Sequence, residues 1–344
     1  MEKSEIKAYL MTLSVSERKS FIEDLSLFEN EDPNLGIYSR REMFDNKIGC
    51  CPNCNGKKYR KHGIDKSIRR YFCTDCKKTF TEHTGTWLAG LHHKELVGDY
   101  LKMMGEEASL DKIKTSLSIN KKTAFDWRHK ILASTQSVEE RDFTGITESD
   151  ETFFPESQKG TQNIARIARK RGKSIKKRGI SDEQVAVIVT ADRNSELNLT
   201  LATLGRIKKI DIDAAIGKRV GSQIILCTDS HVSYKGFAID NKIEHVKLRS
   251  DLKQFVKHKI YHIQHVNSLH SRLKKWIEAK FQGVATKYLQ NYLNWFRLKE
   301  KLKNSQNFSK DFLGKTLIDS KALNKYRQIP ENYLKLMNLN AILN

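Results

Sequence analysis

Two carboxylates, one within a predicted strand and one directly after another strand, are the residues best suited to chemistry in this chain. Asp229 follows the apolar run 224–227, so it lies at the carboxyl end of a short buried strand. A buried carboxylate is costly unless it is paired, which favours a metal or proton site here. A helix N-cap for the segment that starts at His231 explains this aspartate equally well. Both interpretations stay open from this position alone.

Asp150 is the second such carboxylate. It lies in the predicted strand Ile146–Phe154, between Glu148 and Glu151, and strand alternation puts Glu148 and Asp150 on one face. Two carboxylates that approach each other repel unless divalent cations bridge them. Hard oxygen ligands select Mg²⁺ or Mn²⁺, and such ions can activate a nucleophile and stabilise a leaving oxygen in phosphoryl transfer. Asp150 and Asp229 together therefore predict metal-dependent cutting and joining of DNA strands.

A helix predicted over 263–280 should supply the third part of this site. Its buried stripe consists of Val266, Leu269, Leu273, Trp276 and Ile277. Asn267, His270 and Lys274 follow at three- and four-residue steps and so share one edge of the helix. A lone histidine beside an apolar stripe is usually structural, but its alignment with Asn267 and Lys274 keeps a functional role open. Lys274 could hold a phosphate as a point charge.

Four cysteines form a second candidate centre. They are Cys51 and Cys54 in CPNC, and Cys73 and Cys76 in CTDC, with 18 residues between the inner two. This spacing predicts a zinc ribbon that binds one structural Zn²⁺ per chain, because four cysteines leave no open position for catalysis. Cys50 makes the register ambiguous, although Cys51 places Pro52 and Asn53 inside the knuckle. Reduced cysteines without a metal are the alternative.

Residues 108–133 carry two stretches of helical periodicity that a polar break at 118–120 separates. The pattern predicts a helix-turn-helix in which Asn120 caps the second helix. Lys121, Lys122 and Thr123 would then lie at the DNA-facing start of a recognition helix. Any helical hairpin has the same periodicity, so a purely structural pair remains the alternative.

The charge balance favours a polyanionic partner. The chain of 344 residues has 62 Lys and Arg against 41 Asp and Glu, a net charge of +21, and nucleic acid fits this best. Residues 159–179 hold nine basic residues and no acidic one, which predicts an arm that becomes ordered on DNA. Its basic side chains of interest are Arg169, Lys170, Arg171, Lys176, Lys177 and Arg178. A merely solvated loop is the alternative.

The fold class predicted from these patterns is α/β, in the sense of an α+β multidomain chain. A helical segment (1–40), a zinc ribbon (41–90) and a helix-turn-helix (91–135) precede a mixed-sheet, RNase H-like domain (143–300). The basic segment 159–179 is an insertion in that domain, and 301–344 form a tail. Strands are expected at 146–154, 184–192, 197–203 and 223–228, with a helix near 208–216. No apolar run is long enough to span a membrane, and the N-terminus lacks signal-peptide features.

Five motifs in order resemble those of bacterial insertion-sequence transposases with an N-terminal zinc ribbon and a DDE-type catalytic domain. They are CPNC…CTDC, the Trp-containing helix-turn-helix, ESDETFF, LCTDSH and HVNSLHSRLKKWI…GVATKYLQNYLNWF. The likeness extends over roughly residues 45–300. It implies that Asp150 and Asp229 are the first two acidic residues of the catalytic site. The third acidic position of many members falls on His270.

Some relatives are thought to use Asn or His near that place with a Lys one turn later, which resembles Asn267, His270 and Lys274. Because imidazole is a softer ligand than carboxylate, this departure bears on the metal stoichiometry. Glu278, two turns beyond His270, is a weaker substitute, and His245 matches a supporting histidine.

The resemblance implies a transposase that binds terminal inverted repeats and uses Mg²⁺ or Mn²⁺ to cleave and transfer DNA strands. Its partners would be the double-stranded DNA of the element ends and of the target, and further copies of itself, with no membrane. A cytoplasmic, nucleoid-associated bacterial protein is expected. The alternative is a DNA-binding repressor derived from such an enzyme, in which His270 reflects lost catalysis.

Overall fold

The structure is a computed structural model that describes residues 3–18, 40–41, 44–45, 49–65, 68–136, 140–161, 164, 178–305 and 308–342. The chain divides into two compact units. Unit 1 comprises residues 1–125 and 305–320, and unit 2 comprises 126–304 and 321–344. Within the described residues, no helix combines the length and apolar character needed to cross a membrane.

Unit 1 contains a small antiparallel sheet in the order β1-β2-β3. Helix α1 spans Lys3–Thr12, and the strands are β1 (Tyr59–Asp65), β2 (Ile68–Cys73) and β3 (Thr79–Thr81). The core of this sheet is small. Phe44, Tyr71 and Phe80 pack with the buried cysteines Cys51 and Cys73, and the partly buried Tyr59 and Cys76 pack against this cluster. A core of this size favours additional stabilisation by a metal or covalent link.

The helices of unit 1 follow the sheet and then resume near the C-terminus. They are α2 (Val97–Gly105), α3 (Leu110–Leu117), the first part of α4 (Lys121–Ser134) and α9 (Phe308–Thr316). Ser109 caps α3 by accepting a hydrogen bond from the Lys112 amide, and α3 ends at Ser118 in the left-handed region. The Asn120 Oδ1 accepts a hydrogen bond from the Lys122 amide at 2.8 Å, so the predicted N-cap of α4 is confirmed.

Unit 2 is built on a mixed five-stranded sheet in the order β6-β5-β4-β7-β8. The strands are β4 (Ile146–Pro155), β5 (Gln184–Asp192), β6 (Leu197–Leu204), β7 (Ile225–Thr228) and β8 (Glu244–Lys247). Strands β4, β5 and β6 are antiparallel, whereas β4, β7 and β8 are parallel. The predicted α/β class is confirmed, and the first and fourth strands of the sheet are neighbours as expected.

Five helices of unit 2, of 8 to 21 residues, lie between and after the strands of this sheet in the chain. They are α5 (Lys209–Ile216), α6 (Val232–Asp240), α7 (Gln264–Phe281), α8 (Thr286–Lys301) and α10 (Ala322–Ile342). One face of the sheet contributes Ala186, Ile188 and Leu226 to an apolar core with Ile212 of α5 and Phe237 of α6. Burial of these aliphatic side chains is what favours the sheet–helix packing.

Some predicted segments fall outside the described residues. Of the second N-terminal helix, only residues 15–18 are described, and they are helical. Of the basic segment 159–179, the structure describes 159–161, 164, 178 and 179. Arg169, Lys170, Arg171, Lys176 and Lys177 lie outside the described residues. Arg178 is exposed. The domain boundaries predicted from the sequence remain predictions.

Candidate active site and cysteine cluster

Asp150 and Asp229 lie at matching positions on two neighbouring parallel strands. Glu148 and Cys227 are the last residues that pair between β4 and β7, and each aspartate lies two positions beyond this pair on its own chain segment. Side chains two residues apart along a strand point to the same face, and neighbouring strands lie about 4.8 Å apart. The two carboxylates therefore lie on one face of the sheet, where β7 ends and β4 continues.

Asp229 is not the N-cap of helix α6. That position belongs to His231, whose side chain accepts a hydrogen bond from the Ser233 amide. Asp229 Oδ1 accepts a hydrogen bond from the His231 amide at 2.9 Å, which fixes the carboxylate at the turn before the helix. Of the two interpretations of Asp229, the helix N-cap is therefore wrong, because His231 caps α6. A metal or proton site is the interpretation that is left.

The electrostatics of the site reflect this proximity. Burial, and then the charge of Asp229, raise the pKa of Asp150 to about 7. Burial, followed by the charges of Asp150 and Asp229, raises the pKa of Glu151 to about 8. Glu151 lies on the opposite face of β4, where its neighbours include Tyr234. The charge of Asp229 thus acts on both carboxylates of β4, and a divalent cation beside Asp150 and Asp229 would relieve the repulsion between those two.

Helix α7 places an imidazole and an amine next to Asp150. His270 Nδ1 lies 3.9 Å from Asp150 Oδ2, and burial, followed by the charge of Lys274, lowers the pKa of His270 to about 4. The imidazole is therefore neutral near pH 7. Burial lowers the pKa of Lys274, while the charge of Asp150 opposes this shift. Asn267 is exposed one turn before His270 on the same edge of the helix.

The two weaker candidates lie in different surroundings. His245 is on β8, where its Nε2 is 2.9 Å from the Thr228 hydroxyl, next to Asp229 in the chain. Burial lowers the pKa of His245 to about 4. This contact fits a supporting position beside β7. Glu278 is exposed on α7, two turns beyond His270.

Glu148 forms a buried anchor for the start of α7. Its Oε2 accepts the His265 amide at 3.0 Å, and its Oε1 lies 2.6 Å from His265 Nδ1 and 3.1 Å from an Arg193 nitrogen. The side chain of Glu148 is 1% exposed. A carboxylate at a helix N-terminus is stabilised by the amides there and by the helix dipole. Sequence reasoning assigned Glu148 to the correct face but missed His265 and Arg193.

Glu148, His262 and His265 could together reach one metal ion, because one ligand atom from each lies within 4.8 Å of the others. The positively charged guanidinium of Arg193 already lies against Glu148 and His262, where the metal ion would bind. It donates to Glu148, and it lies 3.2 Å from His262 Nε2. An ion bound there would face the Arg193 charge, so hydrogen bonding and ion pairing explain the cluster without a metal.

The residues around Asp150 fit a hard divalent cation. Asp150 shares its face of the sheet with Asp229 and has the neutral imidazole of His270 3.9 Å away, and the buried His270 Nε2 has no hydrogen-bond partner among the described residues. An orphaned buried nitrogen is costly unless some ligand completes it. Carboxylate oxygens match Mg²⁺ and Mn²⁺, and the imidazole nitrogen matches Mn²⁺ better than Mg²⁺.

The four cysteines of unit 1 come together as one group. Cys51, Cys54, Cys73 and Cys76 offer ligand atoms that all lie within 4.8 Å of one another. The Sγ atoms of Cys51 and Cys76 are 3.7 Å apart, and those of Cys54 and Cys73 are 3.6 Å apart. A tetrahedral zinc site with Zn–S bonds of about 2.3 Å requires S–S separations of about 3.8 Å. The donor set and its spacing therefore fit Zn²⁺.

Close approach of the backbone helps to form this cluster. The Gly56 amide lies 3.4 Å from Cys54 Sγ, and a Cβ at Gly56 would lie 2.2 Å from Asp75 Oδ2. A side chain at position 56 would therefore displace the exposed Asp75 carboxylate, and its Cβ would lie 3.2 Å from Cys54 Sγ. Cys50 stands next to the group but is not one of the four ligands that converge, so the Cys51 register is the one that the geometry favours.

The residues predicted to start a recognition helix lie at the beginning of α4. Lys121 and Lys122 are exposed and Thr123 is half-buried. Lys121 Nζ pairs with Asp111 of α3 at 2.8 Å. An exposed ion pair of this kind contributes little to stability. A DNA phosphate could therefore replace Asp111 as the partner of Lys121.

Comparison with known families identifies the class of unit 2. Residues 143–300 match the family model of the ISXO2-like transposase domain. This match covers the five-stranded sheet together with α7 and most of α8, and it includes Asp150, Asp229 and His270. The resemblance to insertion-sequence transposases predicted from the sequence is thereby confirmed.

Two particular proteins resemble this chain. One is an uncharacterized protein in transposable element ISH50 of Halobacterium salinarum, with 22% identity over 268 residues, which cover 73% of this chain and 85% of that protein. The other is a chain in the crystal structure of a pre-cleavage Mos1 transpososome, at 9% identity and a TM-score of 0.22. That comparison covers 64% of this chain and 78% of the other; at this TM-score it carries no argument about fold.

Proposed function

We propose that this protein is a DDE-type DNA transposase with an RNase H-like catalytic domain. It binds the terminal inverted repeats of an insertion sequence, cleaves DNA strands there and transfers them to target DNA. The observation that carries the proposal is the matching position of Asp150 within β4 and Asp229 just after the neighbouring parallel strand β7, with His270 at 3.9 Å from Asp150. The transposase family match supports the same conclusion.

In this proposal Asp150 and Asp229 bind Mg²⁺ or Mn²⁺. Such ions, when bound, activate the attacking oxygen and stabilise the leaving oxygen of an in-line displacement at phosphorus. The raised pKa of Asp150 supports this role, because a cation would offset the repulsion between the two carboxylates. His270 completes the ligand set through its neutral imidazole, and Asn267 contributes from the same edge of α7.

Lys274 has a different part in the reaction. Its ammonium lies close enough to Asp150 to affect the pKa of both groups. It holds a non-bridging oxygen of the scissile phosphate as a point charge. Water attacks this phosphodiester and releases a 3′-hydroxyl on the element end. That hydroxyl then attacks a phosphodiester of the target DNA, so one strand is cut and another is joined.

DNA recognition is assigned to unit 1. The cysteine cluster binds one structural Zn²⁺, which compensates for the small core of the three-stranded sheet. The start of α4 contacts the element end through Lys121, Lys122 and Thr123. Two ends must be joined in one reaction, so a homo-oligomer on DNA is the active species. It acts on nucleoid DNA in the cytoplasm.

A second candidate function is a DNA-binding repressor that has lost catalysis. One feature favours it: the resemblance to insertion-sequence transposases puts His270 where many members of that group carry a carboxylate. Such a protein would bind element ends specifically and leave the strands intact. The zinc and helical elements would serve the same role in both proposals.

A cleavage assay separates the two proposals. The substrate is an oligonucleotide duplex containing the DNA that flanks the reading frame, incubated with the full chain and Mn²⁺. Cleavage and strand transfer that disappear in Asp150→Ala and in Asp229→Ala support the enzyme. Specific end binding without any cleavage, across both Mg²⁺ and Mn²⁺, supports the repressor. Ser271→Ala, an exposed change on α7, is the matched control.

A further inference from the structure

The segment Arg249–Tyr261 connects β8 to α7 and flanks the candidate active site. It begins just after Leu248, whose amide donates to the Thr228 carbonyl, the residue before Asp229. It ends just before His262, whose Nδ1 lies 3.3 Å from Glu148 Oε1. The segment, here called the 249–261 loop, therefore leaves the sheet beside one candidate ligand and returns at the helix that carries another.

The 249–261 loop exposes several apolar side chains. Phe255 and Leu252 are each 59% exposed, Ile260 is 48% exposed and Val256 is 41% exposed. Four exposed apolar residues within one segment of 13 residues are a concentration that favours an interaction site.

Basic residues surround these apolar side chains. The loop carries Arg249, Lys253, Lys257 and Lys259, with Asp251 as its single acidic residue. Arg249 holds that aspartate in a two-point ion pair, at 3.0 and 2.7 Å. The three lysines are exposed. Cations interleaved with an aromatic ring are the composition of a surface that binds nucleic acid through phosphates and bases.

Backbone hydrogen bonds hold the loop in a defined form. The Gln254 amide donates to the Arg249 carbonyl, and Lys257 and Tyr261 exchange two backbone bonds of 2.8 and 2.9 Å. Arg193 ties the end of the loop down by donating to the Ile260 carbonyl at 2.8 Å. Phe255 and Val256 lie between these two turns, so they are presented by a preformed loop, which reduces the entropy lost on binding.

We propose that the 249–261 loop contacts the DNA next to the scissile phosphate, with its lysines on the backbone and the Phe255 ring stacked on a base. This inference rests on the proposed function and adds a substrate contact to the same site. A stacked ring needs a base whose face is open. When the duplex opens at the cleavage site, the bases next to the cut expose their faces.

The test compares four substitutions at Phe255 in the full chain. Phe255→Ala and Phe255→Leu should slow cleavage of the end-containing duplex on the order of 10-fold, as expected for the loss of one stacked base. Phe255→Tyr and Phe255→Trp should stay within about twofold of the parent, because a π-face remains. Phe255 is 59% exposed, so none of these changes should disturb folding. Ile210→Ala, at a residue of α5 that is 70% exposed, is the matched control.

A second measurement examines the lysines. Lys253→Ala and Lys257→Ala should each lower the salt dependence of end binding by about one unit of slope, the value of a lost phosphate contact. Lys242→Ala is the control, since Lys242 is exposed just before β8, at the amino end of that strand. Unchanged slopes in both loop variants would overturn the phosphate contacts.

Three results would contradict the stacking contact. If Phe255→Ala cleaves as fast as the parent, Phe255 does not stack on a base. If Phe255→Leu cleaves as fast as the parent, the contact is apolar packing and not stacking. A changed sedimentation coefficient of Phe255→Ala without DNA would assign the loop to a contact between two copies. If the parent itself neither binds nor cuts the end-containing duplex, the proposed function fails as well, which is a distinguishable outcome.

Discussion

Glu148 Oε1 on strand β4 lies 2.6 Å from His265 Nδ1 at the start of helix α7. The same carboxylate accepts the His265 amide and pairs with Arg193, so one buried side chain joins a strand, a helix terminus and the end of β5. His270 follows His265 by five residues on α7, and Asp150 follows Glu148 by two on β4. The Glu148 anchor thus sets the distance between the two halves of the candidate site.

Replacing Glu148 with alanine should destabilise unit 2 and abolish cleavage. A buried ion pair that loses one partner leaves the other charge uncompensated, at a cost of about 3–5 kcal/mol. Urea unfolding of Glu148→Ala and of Arg193→Ala, alone and combined, gives the coupling energy of the pair. Glu148→Gln keeps the shape and one acceptor and should lose less stability. Additive effects of the two single substitutions would contradict the anchor.

Replacing His270 with alanine should impair cleavage and leave end binding intact. The imidazole lies 3.9 Å from Asp150 and has an unpartnered buried nitrogen, so its removal deletes a ligand without touching unit 1. We expect a loss of at least about 10-fold in cleavage rate, as for removal of a group that supports a metal site. Unchanged cleavage in His270→Ala, together with loss in Glu278→Gln, would reassign the third ligand to Glu278.

Much of unit 2 could be predicted because its patterns are local. The strand Gln184–Asp192 and the helix that starts near Lys208 have unambiguous apolar periodicity, and the observed bounds agree within a few residues. Asn120 was predicted as a cap from its residue type and position alone. The pairing of β4 with β7 followed from the fold class, and with it the approach of Asp150 and Asp229.

The anchor and the loop could not be predicted in the same way. Glu148 and His265 are 117 residues apart, and neither residue type indicates the other. Arg193 follows a strand, where a basic residue is ordinarily solvated. The apolar residues of the 249–261 loop do not recur with the period of a helix or a strand. The sequence therefore does not indicate whether their side chains are exposed or buried. Such contacts depend on tertiary structure.

Asparagine at position 150 should stabilise the protein at high pH when no divalent cation is added. The pKa of Asp150 is raised from 3.8 to about 7 in the folded protein, so the folded state binds more protons than the unfolded state between these values. Stability therefore falls as pH rises from about 4 to about 7. Thermal unfolding should give a higher Tm for Asp150→Asn than for the parent at pH 8, and a much smaller difference at pH 4.

Dialysis rather than a chelator should remove added cations in this experiment, because a chelator would also strip the cysteine cluster. Glu278→Gln is the control and should show no such pH-dependent difference. Addition of Mn²⁺ at pH 8 should raise the Tm of the parent and not that of Asp150→Asn. A parent Tm insensitive to Mn²⁺ would contradict cation binding by the aspartates.

Serine at both Cys51 and Cys54 should remove about one zinc per chain and unfold the three-stranded sheet of unit 1. The sheet has few apolar side chains of its own, so we expect metal binding to supply much of its folding free energy. Metal analysis of the purified chain measures the zinc, and limited proteolysis of residues 49–81 reports the unfolding. Cys50→Ser is the matched control, because Cys50 is adjacent in sequence and lies outside the four-cysteine group. Zinc retained in the double variant, or lost in Cys50→Ser, would show that the ligand set is a different one.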